Sequence, residues 1–221
     1  MVYRREINGE AVLFGNQGDL WMNAMTWFDH DTGNVWSQVT GTALLGPLEG
    51  ESLELLPSEL SNWSDWREQF PDTLALATGT GSNTFRVRNL AVAARVNDEV
   101  ASVEFGDLDE VGAISTVVGG EPLVFTTDPN LERWAVFSRV VDGVTVELEV
   151  DGAFLVDQNG TRWDRATGGS PDGAPALDRV PTFSSNFNNF IDIFPDANVL
   201  IQPEIVRDIP PPFKSYIISM D

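Results

Sequence analysis

A pattern of twenty residues occurs twice in this chain, and no other feature of the sequence limits the fold as strongly. Residues 57–76 read PSELSNWSDWREQFPDTLAL and residues 181–200 read PTFSSNFNNFIDIFPDANVL, in register and without a gap. The identical positions are Pro57/Pro181, Ser61/Ser185, Asn62/Asn186, Phe70/Phe194, Pro71/Pro195, Asp72/Asp196 and Leu76/Leu200. Two further positions keep an aromatic side chain, Trp63/Phe187 and Trp66/Phe190. Such a recurrence predicts two copies of one supersecondary unit.

Shorter matches precede this pattern, in the same order in both halves. Gly33-Asn34-Val35-Trp36 with Thr40-Gly41 matches Gly160-Thr161-Arg162-Trp163 with Thr167-Gly168, and Arg5 with Gly9 matches Arg139 with Gly143. We therefore expect residues 1–80 to form a first copy that lacks its opening strand. Residues 81–221 are expected to contain connecting strands and the second copy, and both copies to share one compact globule.

The shared pattern is typical of a short amphipathic helix. The aromatic side chains at positions 63, 66 and 70 follow i, i+3, i+7 spacing and therefore lie on one face. Ser61 or Asn62 can cap the helix, and Pro71-Asp72 ends it before an apolar strand at 74–77. Because a helix of about ten residues is marginal alone, we expect it to bury its rings against a sheet.

The remaining sequence is mostly typical of strands, separated by turn signals such as Asn8-Gly9, Asp142-Gly143 and Asn159-Gly160. The candidate strands are 3–7, 11–15, 24–29, 34–38, 85–96, 100–105, 123–127, 134–140, 144–150 and 153–157. The predicted fold is a β-rich α+β fold. In it, two diverged copies of a strand–hairpin–short-helix–strand unit form a mainly antiparallel β structure.

The charge balance excludes some classes of partner. The chain has 34 acidic and 13 basic residues, and its formal net charge of −21 would repel phosphate backbones and anionic lipid heads. We therefore expect no nucleic-acid partner. Repulsion among so many carboxylates is screened over about 3 Å at molar ionic strength. The excess of acids, with Lys214 as the sole lysine, favours the hypothesis of a halophilic archaeal source.

Two absences in the sequence limit its chemistry and location. Without cysteine, the chain cannot form disulfides, thiolate metal sites or iron–sulfur clusters. No apolar run approaches the roughly 20 residues of a membrane helix, so we expect no membrane insertion. The start, Met1-Val2-Tyr3-Arg4-Arg5-Glu6, has no apolar signal region and is predicted to be strand.

Residues 14–76 carry a specific family resemblance. The stretch FGNQGDLWMNAMTWFDHDTGNVWSQVTGTALLGPLEGESLELLPSELSNWSDWREQFPDTLAL resembles the signature of domain-of-unknown-function family 3179 of bacteria and archaea. The later segments VNDEVASVEF, GGEPLVF and FSRVVDG are similar to the later part of that family. Many members look like envelope or exported proteins. The resemblance implies a fold and not a reaction, and it leaves both an exported and a cytoplasmic location open.

The chain departs from that family at its start. Similar members often carry a Cys-Pro-x-Cys-type motif on the strand before the residues that correspond to Val2-Tyr3-Arg4-Arg5, whereas this sequence begins at Met1. The start is either truncated relative to the family or belongs to a member that has lost this element. No thiol redox or soft-metal role is carried over, and Asp128-Pro129-Asn130-Leu131, at the corresponding place in the second copy, contains no thiol.

The candidate metal ligands are three consecutive residues, Asp29, His30 and Asp31. His30 is the one histidine of the chain. A neutral imidazole beside two carboxylates can bind zinc, manganese or iron. On a strand, however, the two aspartates would point to one face and the histidine to the other. The alternative is that Asp31-Thr32-Gly33-Asn34 forms a hairpin turn, as Gln158-Asn159-Gly160-Thr161 would in the second copy.

A group of amide, hydroxyl and indole side chains in the first copy is the candidate ligand-binding site. Its members are Asn16, Gln17, Asn23, Trp27, Trp36, Ser37 and Gln38. Indole faces offer stacking area to a flat or sugar-like ligand, and amides give direction. The alternative is two tryptophans in a core together with polar turn residues. The second copy keeps Trp163 but replaces Ser37-Gln38 with Asp164-Arg165.

These features favour a non-catalytic ligand-binding or structural module with a polar and aromatic pocket in the first copy. The alternative is a metal-dependent or redox enzyme that uses His30 and nearby acids. Catalytic residues are not assigned, because carboxylate pairs arise freely among 34 acids and no Gly-x-Ser-x-Gly motif accompanies the histidine. No cofactor is required by the sequence, although the enzyme alternative would use a divalent metal. A small-molecule or protein partner cannot be named from the residues.

Overall fold

The structure, a computed structural model, describes residues 1–58, 60, 63–74, 87–128 and 133–200. The first part contains β1 (Val2–Tyr3), β2 (Glu6–Ile7), β3 (Glu10–Ala11), β4 (Phe14–Trp21), β5 (Ala24–Asp29), β6 (Val35–Ser37), β7 (Ala43–Leu45), β8 (Leu55–Leu56) and α1 (Trp63–Gln69). A 3-10 turn (Val87–Asn89), β9 (Leu90–Val96), β10 (Glu99–Glu104), α2 (Phe105–Val111), β11 (Ala113–Val118), β12 (Glu121–Asp128) and β13 (Arg133–Ser138) follow. The last part contains β14 (Val140–Val141), β15 (Val144–Thr145), β16 (Leu148–Asp151), β17 (Phe154–Asp157), β18 (Arg162–Asp164), β19 (Thr182–Asn186), α3 (Phe187–Ile193) and β20 (Asn198–Val199).

The predicted class, a β-rich α+β fold with mainly antiparallel sheets, is confirmed. Strand pairs formed by neighbours along the chain are antiparallel, as tight hairpin turns require. β10 and β20 pair in parallel, and a long stretch of chain separates them. Among the described helices, none is long and apolar enough to cross a membrane.

Residues 1–56 form small antiparallel sheets. β4, β5, β6 and β7 follow one another in a four-stranded meander, in which Trp27 of β5 lies opposite Trp36 of β6. β2 and β3 form a hairpin whose turn, Asn8-Gly9, has positive φ angles of 52° and 83°. Such angles suit asparagine and glycine, which explains the turn signal in the sequence. β1 and β8 pair and bring both ends of this region together.

The central core lies around β9. Its sequence, LAVAARV, is an unbroken apolar run except for Arg95, and its first five residues are buried. Val92 and Ala94 belong to one apolar cluster, and Ala91 and Ala93 belong to another. Because alternate strand residues point to opposite faces, β9 is buried on both faces. The first cluster also takes side chains from β10, β12, β13 and α2, so it joins the sheets β19-β9-β10-β20 and β11-β12-β13.

Residues 140–164 form a second set of small sheets. β14 and β15 form a hairpin with Asp142 and Gly143 at φ angles of 50° and 79°. β16, β17 and β18 form a three-stranded antiparallel sheet, in which Leu155 lies opposite Trp163. Both of these side chains are buried in a cluster with Phe137 of β13.

The two predicted helices are present, but their packing differs. α1 spans Trp63–Gln69 and α3 spans Phe187–Ile193. Phe190 of α3 is fully buried, as predicted, whereas Trp63 and Phe70 of the α1 region are 48% and 43% exposed. The expected burial of the aromatic face is therefore confirmed for α3 and wrong for those two rings. The predicted caps Ser61 and Asn62, and positions 75–77 of the predicted strand, lie outside the described residues; Leu74 is described and is not strand.

Sequence reasoning missed α2 and the strand β11 (Ala113–Val118), and several strand boundaries were placed wrongly, among them those of 85–96 and 100–105. α2 follows β10 directly, and Phe105, predicted as strand, begins the helix, where Phe105 and Leu108 are fully buried. A helix of seven residues, about two turns, is too short to show a helical period, so its formation depends on this burial. The predicted strand 85–96 begins at Leu90, after the 3-10 turn, and positions 85 and 86 are outside the described residues.

Candidate functional site

Asp29 organises the loop between β5 and β6. The residue is 1% exposed. One carboxylate oxygen accepts hydrogen bonds from the Thr32 amide and hydroxyl at 2.6 and 2.7 Å and from the Gly33 amide at 3.2 Å. The other accepts from Asn34 Nδ2 at 2.8 Å and from Trp36 Nε1 at 2.9 Å. Both oxygens are therefore committed to holding the loop.

The protonation of Asp29 follows from these contacts. Burial raises the pKa of the carboxyl group, but the hydrogen bonds from Trp36, Asn34 and Thr32 to its ionised form outweigh that effect. The pKa of Asp29 consequently lies well below its ordinary value. The side chain is an ionised structural acceptor at neutral pH.

The other two candidate metal ligands take no part in the hydrogen bonds of Asp29 described above. His30 and Asp31 are exposed in the turn after β5. The His30 ring lies 4.8 Å from the Phe28 ring, centroid to centroid, and both rings lie over Gly15, where a side chain would collide with Phe28. Within the described residues, no three side chains of histidine, aspartate or glutamate lie close enough together to hold a metal ion. This geometry offers no support to the metal hypothesis.

Trp36 and Ser37, two of the predicted ligand-binding residues, are buried in the core. They are 1% and 0% exposed. The Trp36 ring packs edge-on against Phe14 at 5.8 Å, and the Ser37 hydroxyl accepts a hydrogen bond from the Thr40 amide at 3.2 Å. Both side chains therefore support the fold and are not accessible to a ligand.

Asn16 and Gln17 shape an irregularity in β4. The register of β4 against β5 shifts between Asn16 and Leu20. The Asn16 side chain accepts from the Gly18 amide at 2.9 Å, and the Gln17 carbonyl accepts from the Asp19 amide at 2.9 Å and the Thr26 hydroxyl at 3.1 Å. These amides satisfy backbone groups that the bulge removes from the ladder.

The remaining predicted residues are distributed around the same sheet. Asn23 is exposed at the tip of the β4–β5 hairpin, with a φ angle of 58°. Trp27 is half-buried, with its ring 6.0 Å from that of Tyr3. Gln38 follows β6, and its backbone N–H donates to the Met25 carbonyl at 3.1 Å. The seven predicted residues are thus divided among the core, the irregularity of β4, the β4–β5 hairpin tip, the face of β5 and the end of β6.

A pocket of about 240 Å³ lies elsewhere, where residues 1–56 meet β9 and β19. It is lined by Tyr3, Val39, Thr40, Ser52, Leu53, Leu55, Arg95, Pro181 and Phe183. None of the seven predicted ligand-binding residues is in this set. The lining combines aliphatic and aromatic walls with three hydroxyl groups and one guanidinium.

Tyr3 and Arg95 contribute a phenol and a guanidinium group to the lining of this pocket. The Tyr3 hydroxyl donates to the Val39 carbonyl at 2.8 Å. Burial raises the pKa of the Tyr3 phenol, against a smaller lowering by Arg95, so the phenol stays protonated. The Arg95 guanidinium lies 5.7 Å from the Phe183 ring centroid and 5.4 Å from that of Phe194. Stacking on two rings holds this exposed guanidinium at the pocket.

Sequence reasoning did not find this pocket because its residues form no motif. Tyr3, Thr40, Arg95 and Phe183 come from four distant parts of the chain. The one local signal was Arg95, a cation inside an otherwise apolar strand. The pairing of β19 with β9, in which Phe183 lies opposite Ala93, brings Phe183 near Arg95, and the β1–β8 pair places Tyr3 opposite Leu55, another lining residue.

The pocket borders a tight corner of the backbone, residues 37–42, which we call the first corner. The Gly41 amide donates to the Ser37 carbonyl, and the Leu53 amide donates to the Gly41 carbonyl, both at 2.9 Å. Gly41 has a φ angle of 68°, and a side chain there would collide with the Tyr3 ring. Glycine is therefore required, because it fits both the backbone angle and the ring.

A second corner, residues 164–169, has the same hydrogen bonds. The Gly168 amide donates to the Asp164 carbonyl at 2.8 Å, and the Leu177 amide donates to the Gly168 carbonyl at 2.9 Å. Gly168 has a φ angle of 73°, and a side chain there would collide with the Phe137 ring. Phe137 thus stands against the second corner as Tyr3 stands against the first.

The side chains around the second corner differ from those around the first. The Arg179 guanidinium donates to the Ala166 carbonyl and lies 5.1 Å from the centroid of the Phe137 ring. At the first corner the corresponding carbonyl, of Val39, accepts from Tyr3. At the second corner, Arg179 thus donates a hydrogen bond to a backbone carbonyl of that corner. The arginine at the first corner, Arg95, comes from β9 and lines the pocket.

Residues 1–89 match the model of a family described as a protein of unknown function (DUF3179). The resemblance seen in the sequence is thus confirmed over this part of the chain. No curated protein and no solved structure matches the chain.

Proposed function

We propose that the chain is a non-catalytic module that binds a small ligand in the pocket between the first corner and strands β9 and β19. The observation that carries this proposal is the pocket itself, a concave site of about 240 Å³ with Val39, Leu53 and Phe183 among its apolar walls. Ligand sites are typically mostly apolar and contain a few fixed polar groups. Tyr3 and Arg95 supply such groups here.

The state of the acid that the sequence singled out also favours binding over catalysis. A general acid or base needs a free oxygen near a reacting group. Both oxygens of Asp29 accept hydrogen bonds from the loop that they hold. The pocket, in turn, has no carboxylate or imidazole among its lining residues.

The proposal is tested by mapping small fragments on the protein by NMR. We expect fragments to perturb the signals of Tyr3, Thr40 and Phe183, and to leave those of Asn16 and His30 unchanged. Ser52 is an exposed residue of the lining, so Ser52→Trp should cover the pocket and abolish these perturbations. Ser115→Trp places the same side chain on an exposed position of β11 and should have no effect.

Two results would contradict the proposal. One is that no fragment perturbs the pocket signals in the folded protein. The other is that fragment binding survives Ser52→Trp as fully as it survives Ser115→Trp, which would place the ligand elsewhere.

We also propose that the chain contains two diverged copies of one unit. The support comes from matched hydrogen bonds. Val12 N donates to Arg5 O at 2.9 Å, and Val146 N donates to Arg139 O at 2.8 Å. α1 and α3 have the same length, and each is followed by an amide that donates to the residue four before it, Phe70 to Trp66 and Phe194 to Phe190.

The β5–β6 and β17–β18 loops test this proposal. Asp29 and Asp157 end the strands, and the loop Asp29–Asn34 is one residue longer than Asp157–Thr161. Grafting DQNGT in place of DHDTGN should give a protein that still unfolds cooperatively on heating. The reversed graft places DHDTGN at 157–161. If neither grafted protein folds, the two loops are not equivalent.

The charge of the chain supports the further proposal of a protein adapted to high salt. With 34 acidic and 13 basic residues, repulsion destabilises the folded chain at low ionic strength and is screened at molar salt. We expect the melting temperature to rise steadily from low to molar KCl. A melting temperature that is constant across this series would refute the proposal.

A further inference from the structure

We propose that the pocket at the first corner selects a small ligand that carries a carboxylate, with Arg95 as the group that recognises it. This inference rests on the proposed binding function and adds the chemical class of the ligand. Arg95 is the one charged residue in the lining of this pocket. A planar guanidinium offers paired N–H donors that match the two oxygens of a carboxylate.

The surroundings of Arg95 leave its charge available. Among the described residues, Arg4, Arg88 and Arg162 form ion pairs with Glu54, Asp109 and Asp172, whereas Arg95 forms no ion pair. Its contacts in this part of the chain are the faces of Phe183 and Phe194. Ring stacking orients the guanidinium and uses none of its N–H donors. Arg5 and Arg165 likewise form no ion pair among the described residues, but their guanidinium groups donate to carbonyl or hydroxyl oxygens, and Arg95 is the one of the three that lines the pocket.

The hydroxyl groups of the lining complete a set of donors. Thr40 Oγ1 accepts from the Thr42 amide at 3.2 Å, so its proton is free to point at a ligand. The Ser52 hydroxyl lies 3.0 Å from the Thr42 hydroxyl, and either of these can donate to the other. The Tyr3 proton is used by the Val39 carbonyl. A ligand oxyanion would therefore meet Arg95 and Thr40 as donors.

The volume and the walls limit the rest of the ligand. A pocket of about 240 Å³ is smaller than the roughly 300–1,000 Å³ typical of drug-sized ligands. Val39, Leu53, Leu55, Pro181 and Phe183 form apolar walls. The site thus fits one carboxylate on a compact apolar or aromatic body and is too small for a nucleotide or an oligosaccharide.

The second corner explains why this site is confined to the first. There the guanidinium of Arg179 lies against Phe137 and donates to the Ala166 carbonyl. At the first corner the matching carbonyl, of Val39, accepts from Tyr3. Tyr3 differs from Phe137 by its hydroxyl group, which donates to the Val39 carbonyl. The N–H donors of Arg95 are therefore not needed by this carbonyl and can bind a ligand.

The experiment compares benzoate with benzamide, which has nearly the same shape but no charge. Binding is measured by calorimetry and by NMR shifts of the Arg95 side chain and the Tyr3 ring, with wild-type protein in molar KCl. We expect benzoate to bind at least about tenfold more tightly than benzamide, because a hydrogen-bonded charged contact is lost in the amide. Benzoate should shift the Arg95 and Tyr3 signals.

Arg95→Gln and Arg88→Gln form a matched pair of variants. Each removes one positive charge from an exposed arginine, but Arg88 lies outside the pocket lining. We expect Arg95→Gln to weaken benzoate binding about tenfold and leave benzamide binding unchanged, and Arg88→Gln to change neither. The melting temperature of each variant is measured to confirm that it is folded.

The outcomes separate this inference from the proposed function. If benzamide binds in the pocket as tightly as benzoate, or if Arg95→Gln leaves benzoate binding unchanged, the carboxylate class is wrong while a binding pocket remains. Equal weakening by both arginine variants would also overturn the role of Arg95, because general charge would then explain the affinity. If neither probe shifts the pocket signals, the inference is overturned; the fragment screen then decides the binding function separately.

Discussion

The loops that follow β5 and β17 use a buried aspartate in the same way but to different degrees. Asp157 Oδ1 accepts from the Asn159 and Thr161 amides at 2.9 and 2.8 Å, as Asp29 Oδ1 accepts from its own loop. Asp29 additionally accepts from the Trp36 indole, whereas the Trp163 indole donates to the Pro175 carbonyl at 2.9 Å. The exposed fractions are 1% for Asp29 and 9% for Asp157.

This difference shows how one turn design serves two surroundings. In the first loop the aspartate links the turn to a core tryptophan, and its longer loop leaves His30 and Asp31 in solvent. In the second, the tryptophan is held by the chain that follows it. In the cluster Asp29-His30-Asp31, the carboxylate of Asp29 is thus used inside the loop and by the core tryptophan.

The largest effect is expected for Asp29→Ala. Several donors, among them Asn34 and the Trp36 indole, would lose their acceptor in a buried place, so the free energy of unfolding should fall by about 3–4 kcal/mol. Asp157→Ala should cost less, since Trp163 keeps its own partner. Urea unfolding at constant salt measures all variants, with exposed Asp31→Ala as the control. Equal losses at 29 and 157 would contradict the comparison.

The second effect concerns Arg165, which stands where the first corner has Gln38. Arg165 is 4% exposed, and its guanidinium donates to the Gly112 and Gly152 carbonyls at 2.6 and 2.9 Å and to two threonine hydroxyls. Arg165→Met should reduce the free energy of unfolding by about 2–3 kcal/mol, because buried acceptors lose their donors. Gln38→Met should change it by less than about 0.5 kcal/mol. Thermal unfolding of both variants decides between a structural cation and a dispensable one.

The two corner glycines should respond alike. Gly41→Ala and Gly168→Ala each combine a positive φ angle with a collision against an aromatic ring, so each should cost about 2–3 kcal/mol of unfolding free energy. Gly33 has a φ angle of 70° but open space around it, and Gly33→Ala should cost only about 1 kcal/mol. Chemical denaturation of the three variants isolates the ring contact. A corner variant as mild as Gly33→Ala would show that the ring moves aside.

The smallest effect near neutral pH is expected for the pH dependence of the unfolding free energy that comes from Asp29 and Asp157. The pKa of Asp29 and that of Asp157 are both lowered in the folded state. Each carboxylate therefore contributes stability that is fully present above the unfolded pKa of about 3.9 and is lost as pH falls through the folded pKa. Unfolding free energies between neutral pH and strong acid should be flat at first and then decline. In Asp29→Asn the decline should be shallower; an unchanged slope would contradict the role of Asp29.

Local signals in the sequence located most of the secondary structure. The strand 24–29 was predicted with its observed bounds, and the helices at 63 and 187 followed from the spacing of their aromatic rings. The Asn8-Gly9 and Asp142-Gly143 turns were readable because positive φ angles require such residues. α2 was not readable, since seven residues of mixed polarity are helical only when Phe105 and Leu108 find a core.

The candidate site was harder to predict, because the solvent accessibility of a side chain depends on its neighbours in the fold and not on its residue type. Trp36 and Ser37 were singled out for their side-chain chemistry, but the sheet that they belong to buries both. Asn16 and Gln17 were singled out for the same reason and satisfy the backbone of a bulge. The order of residues alone could not separate a polar group that binds a ligand from one that completes a turn.

The sequence by itself determined a β-rich chain of high negative charge with short aromatic-faced helices, because strand, turn and helix signals depend on neighbouring residues and charge depends on summed composition. Only the tertiary structure decided which of these side chains are buried and which are exposed. Arg95 and Phe183 are far apart in the chain, and the pairing of β9 with β19 is what brings them near each other in the pocket that Tyr3 and Thr40 also line. A pocket formed by residues from distant strands has no motif in the sequence, whereas a turn formed by successive residues has one.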